Sequence, residues 1–277
     1  MTVKRRFLRA LLYLVLLLGA AFVLVPIYWL LRSSVMTIGE IFKFPPMLWS
    51  HDMQWSNFSQ SMTVTPFARY FGNTITILIP ALLGTLLTAS MSAYGFARFK
   101  FPLRGMWFSL VLSAIILPPA VVLIPQFIMW SSLRLVNTFY PLILPLWFGG
   151  GAFNVFLLRQ FFLTIPHDFD DAARIDGAGF FRIYWQIMLP LIQPALIAVG
   201  LFQFFFVWND FFLPLIYLND PGKYTLALGL SEFIGSYATQ WNLLMAATVI
   251  IVIPPIIVFF IGQKYFVEGV TLTGVKG

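Results

Sequence analysis

Few residues in this chain of 277 have the types and spacing that chemistry needs. Four of its ten acids, Asp168, Asp170, Asp171 and Asp176, fall within nine positions, and Gly177 and Gly179 follow them. Asp168 is placed to cap a short helix, with Asp171 three residues on, where a capping-box acid sits. Gly177 is suited to end that helix after about two turns, and Pro190 to stop the segment beyond it. Phe169, Ala172, Ala173 and Asp176 then share one face, small at its centre, which can enter a narrow groove. A capped surface helix in the headgroup layer is the alternative on physics alone.

Other chemistry lacks its residues. With no cysteine there is no thiolate metal site, disulfide or cysteine nucleophile. His51 and His167 are too far apart in sequence to read as a metal pair. Gly222-Lys223 lacks both the earlier glycine and the following hydroxyl of a phosphate-binding loop. No Gly-x-Ser-x-Gly elbow or His-Glu-x-x-His pair occurs. The expectation is a chain that is not an enzyme and holds no cofactor or metal.

The elements that must position these residues follow from composition. The chain is 60% hydrophobic and 10% charged, against roughly 45–50% and 25% in an ordinary soluble domain. Six charge-free runs, 10–31, 70–97, 105–133, 135–158, 183–209 and 233–263, each exceed the roughly 18 residues that suggest a spanning helix. They are apolar all round and do not alternate as barrel strands do, so the backbone must satisfy itself within helices. The reading is an all-α membrane protein with six transmembrane helices at about 10–31, 70–97, 106–130, 139–162, 191–218 and 242–264, a cytoplasmic loop over 163–190, and one domain over 1–277.

Lysines and arginines give the orientation. Twelve of the 17 lie on one set of ends (Lys4, Arg5, Arg6, Arg9, Arg98, Lys100, Arg104, Arg159, Arg174, Arg182, Lys264 and Lys276) and five on the other (Arg32, Lys43, Arg69, Arg134 and Lys223). Both termini are therefore expected in the cytoplasm. The net charge of +7 then needs no nucleic acid, because inside loops face anionic lipid. The N-terminal apolar run extends through Leu31, past the 7–15 residues of a signal-peptide core, and is read as an uncleaved span. Outside, 32–69 is long enough for a small folded cap. The 219–241 loop opens on an Asn-Asp-Pro-Gly turn signal, and either projects toward a partner or returns as a connection. Prolines within the runs, Pro118-Pro119 and Pro254-Pro255 among them, favour bends.

Asp171-Ala172-Ala173, three residues, Gly177, nine residues, then Ile187-Met188-Leu189-Pro190 resembles the Glu-Ala-Ala loop of ABC importer permeases, with aspartate replacing the usual glutamate. Arg174-Ile175-Asp176-Gly177-Ala178, Trp208-Asn209-Asp210-Phe211-Phe212 with Pro214-Leu215, and Phe266-Val267-Glu268-Gly269 with the end at Gly277 resemble the carbohydrate branch, of the maltose-transporter second-permease type. The resemblance runs from about Pro26 to the C-terminus. It implies the type I importer permease fold in the inner or plasma membrane of a prokaryote. It also implies a second permease, two ATP-binding subunits holding ATP and magnesium, an extracytoplasmic solute-binding protein and a carbohydrate cargo. Asp171, Ala172, Ala173, Arg174, Asp176 and Gly177 would couple the ATPase to the helices. The tail to Gly277 would reach between the ATPase subunits, and the 219–241 loop would approach the binding protein.

Gln126, Asn154, Gln160, Gln203 and Asn209 are polar residues in or at the ends of apolar runs and are candidates, with Asp210, for the solute path. Each can instead join helices, worth about 0.6 kcal/mol on average in membranes. An acid within a spanning segment is a functional candidate by default. Asp210 could therefore serve as the ion site of an ion-coupled secondary transporter. However, it lies roughly 30 Å along a helix starting near Leu191, which places it at the outer interface.

Overall fold

The computed structural model describes residues 3–234 and 239–274, with side chains from Phe7 to Tyr265 within those limits. The chain divides into two compact units, Met1–Phe67 with Gly229–Ile253, and Ala68–Leu228 with Pro254–Gly277. Among the described residues the regular structure is helical, apart from an isolated bridge between Ile234 and Thr239.

In the first unit α1 (Val3–Ser34) carries Pro26 without a break, and its apolar side chains are exposed along its length. The segment after it is a folded cap. α2 (Ile38–Ile41) starts with a capping box in which Thr37 and Glu40 exchange hydrogen bonds, and α3 (Ser56–Val64) follows. Buried Asn57 ties the cap together, since its Nδ2 donates to the carbonyls of Ser34 and Met36, both at 3.0 Å.

The second unit is organised around α4 (Phe67–Arg98), where Ile77, Ala81, Thr85, Ala89, Ala93 and Ala97 recur every fourth residue and are all buried. A stripe of small side chains lets other helices approach closely. The run at 105–133 is not one helix. α5 (Arg104–Ile116) and α6 (Pro119–Ser132) are bent by 98° at Leu117-Pro118. A residue before proline is pushed to extended backbone, as Leu117 is at φ −69° and ψ 121°, and Pro119 then starts the next helix, where its missing N–H costs nothing.

α7 (Tyr140–Ile143) continues through a 3-10 turn, Leu144–Trp147, to three glycines and α8 (Ala152–Thr164). Gly150, at φ +65°, approaches α4 so closely that a Cβ there would lie 2.6 Å from the Thr85 carbonyl oxygen. The loop between α8 and α12 contains α9 (Asp168–Ile175), α10 (Phe180–Ile183), a π-helical turn over Tyr184–Met188 and α11 (Leu189–Leu191). Pro190 does not stop this segment. It sits inside α11, and the chain turns by 79° only afterwards, entering α12 (Gln193–Trp208). Proline supplies no N–H to the preceding turn, and that turn widens to π geometry, a recognised origin of kinks.

α12 ends at Asn209-Asp210, and α13 (Phe212–Tyr217) follows. The 219–228 stretch returns to the bundle. Asn73 Nδ2 donates to the carbonyls of Gly222 and Tyr224 at 3.0 and 2.9 Å, and the Leu226 N–H, at the start of α14 (Leu226–Gly229), donates to Thr74 Oγ1 at 2.9 Å. α15 (Trp241–Gly274) carries Pro254 and Pro255 internally. Among the described residues four segments are long and apolar enough to cross a membrane, Phe7–Ser34, Phe67–Arg98, Tyr140–Thr164 and Trp241–Tyr265, and the total reaches six if each bent pair counts as one span.

Candidate coupling site

α9 begins differently from the sequence expectation. Asp168 is its first helical residue, and its N-cap is His167, which makes no side-chain cap bond. The backbone supplies the start instead, with the His167 carbonyl accepting from the N–H groups of Asp170 and Asp171 at 2.9 and 3.1 Å. Asp168, Asp170 and Asp171 thus place negative charge in the first turn, where the helix dipole favours it.

The other end is closed by a Schellman motif. Gly177, at φ +77°, donates to the Arg174 carbonyl at 3.0 Å, and Ala178 donates to the Ala173 carbonyl at 2.9 Å. Left-handed backbone of this kind is unstrained only for glycine, which is why Gly177 ends the helix.

The two faces of α9 have different surroundings. Ala173 is 6% exposed, so it does not share the outer face with Phe169, Ala172 and Asp176 as the spacing suggested. It packs into the apolar core with Ala93, Tyr94 and Ala97 of α4, Leu158 and Phe162 of α8, Ile183 and Met188, and Ile192, Ala195 and Val199 at the start of α12. The outer face carries Phe169, Ala172, Asp176 and Ile175, the last 86% exposed. Asp171 and Arg174 are exposed beside it and form a loose pair at 3.8 Å, with the Arg174 guanidinium 5.2 Å from the Phe180 ring.

Asp170 also turns inward. Its Oδ2 lies 3.3 Å from Nη1 of Arg98, the last residue of α4, with the two side chains only 4% and 3% exposed. Arg98 Nη2 donates to the Ile165 carbonyl at 2.8 Å, and Nη1 lies 3.2 Å from His167 Nδ1. Arg98 thereby clamps both the approach to α9 and its first turn to the end of a spanning helix. A groove of about 650 Å³ beside this clamp is bordered by Lys100, Phe101, Asp171 and Phe180.

Farther along the π turn, Ser90 Oγ and Tyr184 Oη are 2.8 Å apart, giving α4 a second polar tie to the same loop. Sequence reasoning missed Arg98, which it counted only as a cytoplasmic charge, and Ile175. A bulky apolar side chain among Asp171, Arg174 and Asp176 on so short a helix was the available signal for Ile175.

The solute-path candidates do not all converge. Gln126 and Asp210 line one cavity together. Asn154 Nδ2 is used on the Gly150 carbonyl at 2.8 Å, and Asn209 Nδ2 on the Phe205 carbonyl at 2.9 Å. Gln203 is buried away from the cavity, and Gln160 is also absent from its lining. Asp210 Oδ1 accepts the Leu213 N–H at 3.1 Å, which anchors the start of α13. The expected contact of the tail to Gly277 lies outside the described residues, as do 235–238 of the 219–241 loop.

A polytopic helical bundle with an inner helix keyed into its core is the architecture of a type I ABC importer permease. Residues 85–272 match the family described as the binding-protein-dependent transport system inner membrane component, and the chain belongs to that family. It is accordingly a membrane transport subunit and not an enzyme. It is 34% identical to the diacetylchitobiose uptake system permease protein NgcG of Streptomyces coelicolor over 94% of this chain and 86% of the relative. It is 32% identical to the sn-glycerol-3-phosphate transport system permease protein UgpE of Yersinia pestis over 96% and 97%. A chain of a bacterial ABC transporter that imports the acidic polysaccharide alginate superposes with a TM-score of 0.85, at 23% identity, over 96% of this chain and 99% of the other.

Proposed function

We propose that this chain is one of two permease subunits of a carbohydrate ABC importer. The whole of 1–277 serves as the transport domain, and both termini face the cytoplasm, as the distribution of lysine and arginine indicates. Two separate ATP-binding subunits hold ATP and magnesium, and an extracytoplasmic binding protein delivers the cargo. The relatives named for diacetylchitobiose and sn-glycerol-3-phosphate uptake, and the alginate importer of like fold, support this assembly and a sugar-like cargo.

One observation carries the reading. The outer face of α9 presents Phe169, Ala172, Ile175 and Asp176, while its inner face is locked to α4, α8 and α12 through Ala173 and Asp170. An ATPase that grips the outer face moves the bundle with it, because packed cores shift between discrete arrangements and do not deform continuously. Closure of the ATPase then biases two packings through different contacts in each.

Gentle purification tests the assembly, with an ATPase and a second permease expected to accompany the chain. After reconstitution with the binding protein, uptake of sugar should require ATP. Transport by the chain alone on an ion gradient would contradict the proposal.

A further inference from the structure

The segment 42–49, which follows α2 in the first unit, folds back along α1 and does not stand off its end. The carbonyls of Met47 and Leu48 accept hydrogen bonds from Arg32 Nε and Tyr28 Oη. Tyr28 precedes Ser34, the last residue of α1, by six positions, or about 9 Å along the axis at 1.5 Å per residue. Helical side chains lean toward the N-terminus, so both contacts lie beside the helix. At the start of the segment the Phe42 ring meets the ring of Trp241, the first residue of α15, edge-on at 6.2 Å. The segment is thus held level with the ends of two helices that are long and apolar enough to cross a membrane.

Its free side is apolar. Phe44 is 92% exposed and Leu48 72%, with Trp49 exposed near them, and Lys43 is exposed between Phe42 and Phe44. The backbone of the same stretch suits a place with little water. Pro45 and Pro46 have no N–H to leave unpaired, the Lys43 N–H donates to the Glu40 carbonyl at 3.4 Å, and α1 takes the Met47 and Leu48 carbonyls. Away from water, backbone polar groups must be satisfied within the protein in this way. A protein surface is the poorer partner, because lysine is depleted at the centre of protein interfaces. At a bilayer surface its ammonium reaches the phosphates while the stem covers apolar neighbours, and tryptophan concentrates there.

We propose that residues 42–49 are a membrane anchor lying in the lipid headgroup layer, with Phe44, Leu48 and Trp49 at the acyl boundary and Lys43 at the lipid phosphates. The cap that Asn57 ties to the end of α1 is thereby seated on the bilayer. This rests on α1 crossing the membrane, as the proposed function requires, and is independent of the cargo.

The chain has no cysteine, so Phe44→Cys, Leu48→Cys and Phe22→Cys, one at a time, can each carry a nitroxide label. The complete importer, its other subunits made cysteine-free, is placed in nanodiscs of phosphatidylethanolamine and phosphatidylglycerol. Collision rates with oxygen, which concentrates in lipid, and with a water-soluble nickel chelate then report depth. Labels at 44 and 48 should lie about 5–10 Å below the phosphates, the depth of interfacial segments. Labels at both positions struck by the nickel chelate as freely as in water would overturn the anchor. So would shielding of both from oxygen and chelate alike, which marks a covering protein. Water exposure of the label at 22, within α1, would instead overturn the membrane crossing on which the proposed function stands.

Discussion

Arg98 and Asp170 join the long apolar helix α4 to the short helix α9 through an ion pair at 3.3 Å whose side chains are both almost wholly buried. Arg98 is at the C-terminus of α4 and Asp170 in the first turn of α9, so each charge also faces the helix end that favours it. A buried pair gains little over apolar residues of similar volume, but removing one partner strands the other. The pair therefore acts as a latch whose value lies in holding α9 in register with α4.

Asp170→Ala or Arg98→Ala should cost about 3–5 kcal/mol, the penalty of an uncompensated buried charge. Thermal unfolding of the assembled complex measures it. The double variant Arg98→Met with Asp170→Leu should recover most of the loss. A double variant as unstable as the worse single variant would show that the pair does not act as a unit.

Gly177→Leu forces a branched residue to φ +77°, which costs roughly 1–2 kcal/mol, and adds bulk at the end of α9, where glycine currently meets open space. The expected outcome is a chain that inserts and assembles while ATP-driven uptake falls at least about tenfold, with ATP hydrolysis retained, because the strain is small against a total stability of about 5–15 kcal/mol. Uptake and hydrolysis measured on the same proteoliposomes separate uncoupling from misfolding.

Ile175→Glu replaces an exposed apolar side chain on the outer face of α9. Stability of the isolated chain should change by less than about 0.5 kcal/mol, as for other surface positions. Recovery of the ATPase in copurification should fall at least about tenfold if Ile175 is an anchor in a desolvated contact. Comparable ATPase recovery with the unaltered chain would remove Ile175 from the interface.

In the cap that follows α1, hydrogen bonds from the Thr37 backbone first, and from the Ser50 and Thr37 hydroxyls, hold the Glu40 carboxyl below the usual carboxylate range. A lowered folded-state pKa contributes stability above the unfolded value, about 4.3 for glutamate, and that contribution disappears as pH falls through the folded value. Protection of the Thr37, Glu40 and Ile41 amides, measured relative to the unstructured chain at each pH, should therefore fall as the pH drops below the usual carboxylate range, and Glu40→Gln should flatten that dependence.

What was legible in the sequence was whatever depends on neighbours along the chain. The short helix and its glycine terminator could be read from the local sequence up to Gly177, because helix ends use local hydrogen bonds, although the side-chain cap read from Asp168 and Asp171 is replaced by the His167 carbonyl. The inward turn of Ala173 and Asp170 could not, because it depends on where α4 finishes and presents Arg98. Pro118-Pro119 announced a break but not its angle of 98°. Gln126 and Asp210 meet in one cavity only through the fold, whereas Asn154 and Asn209 each turn back on the backbone carbonyl four residues earlier. A polar side chain in an apolar run looks the same from sequence in either case.

The mechanical role of α9 is open to one direct measurement. Cysteines introduced for Phe169 and Ile175 in the complete importer can be cross-linked to the ATP-binding subunits while nucleotide turns over. The account predicts efficient cross-links from both positions, with yields that change between the nucleotide-free and ATP-bound states. Cross-links to lipid alone, with none to an ATP-binding subunit in any state, would contradict it.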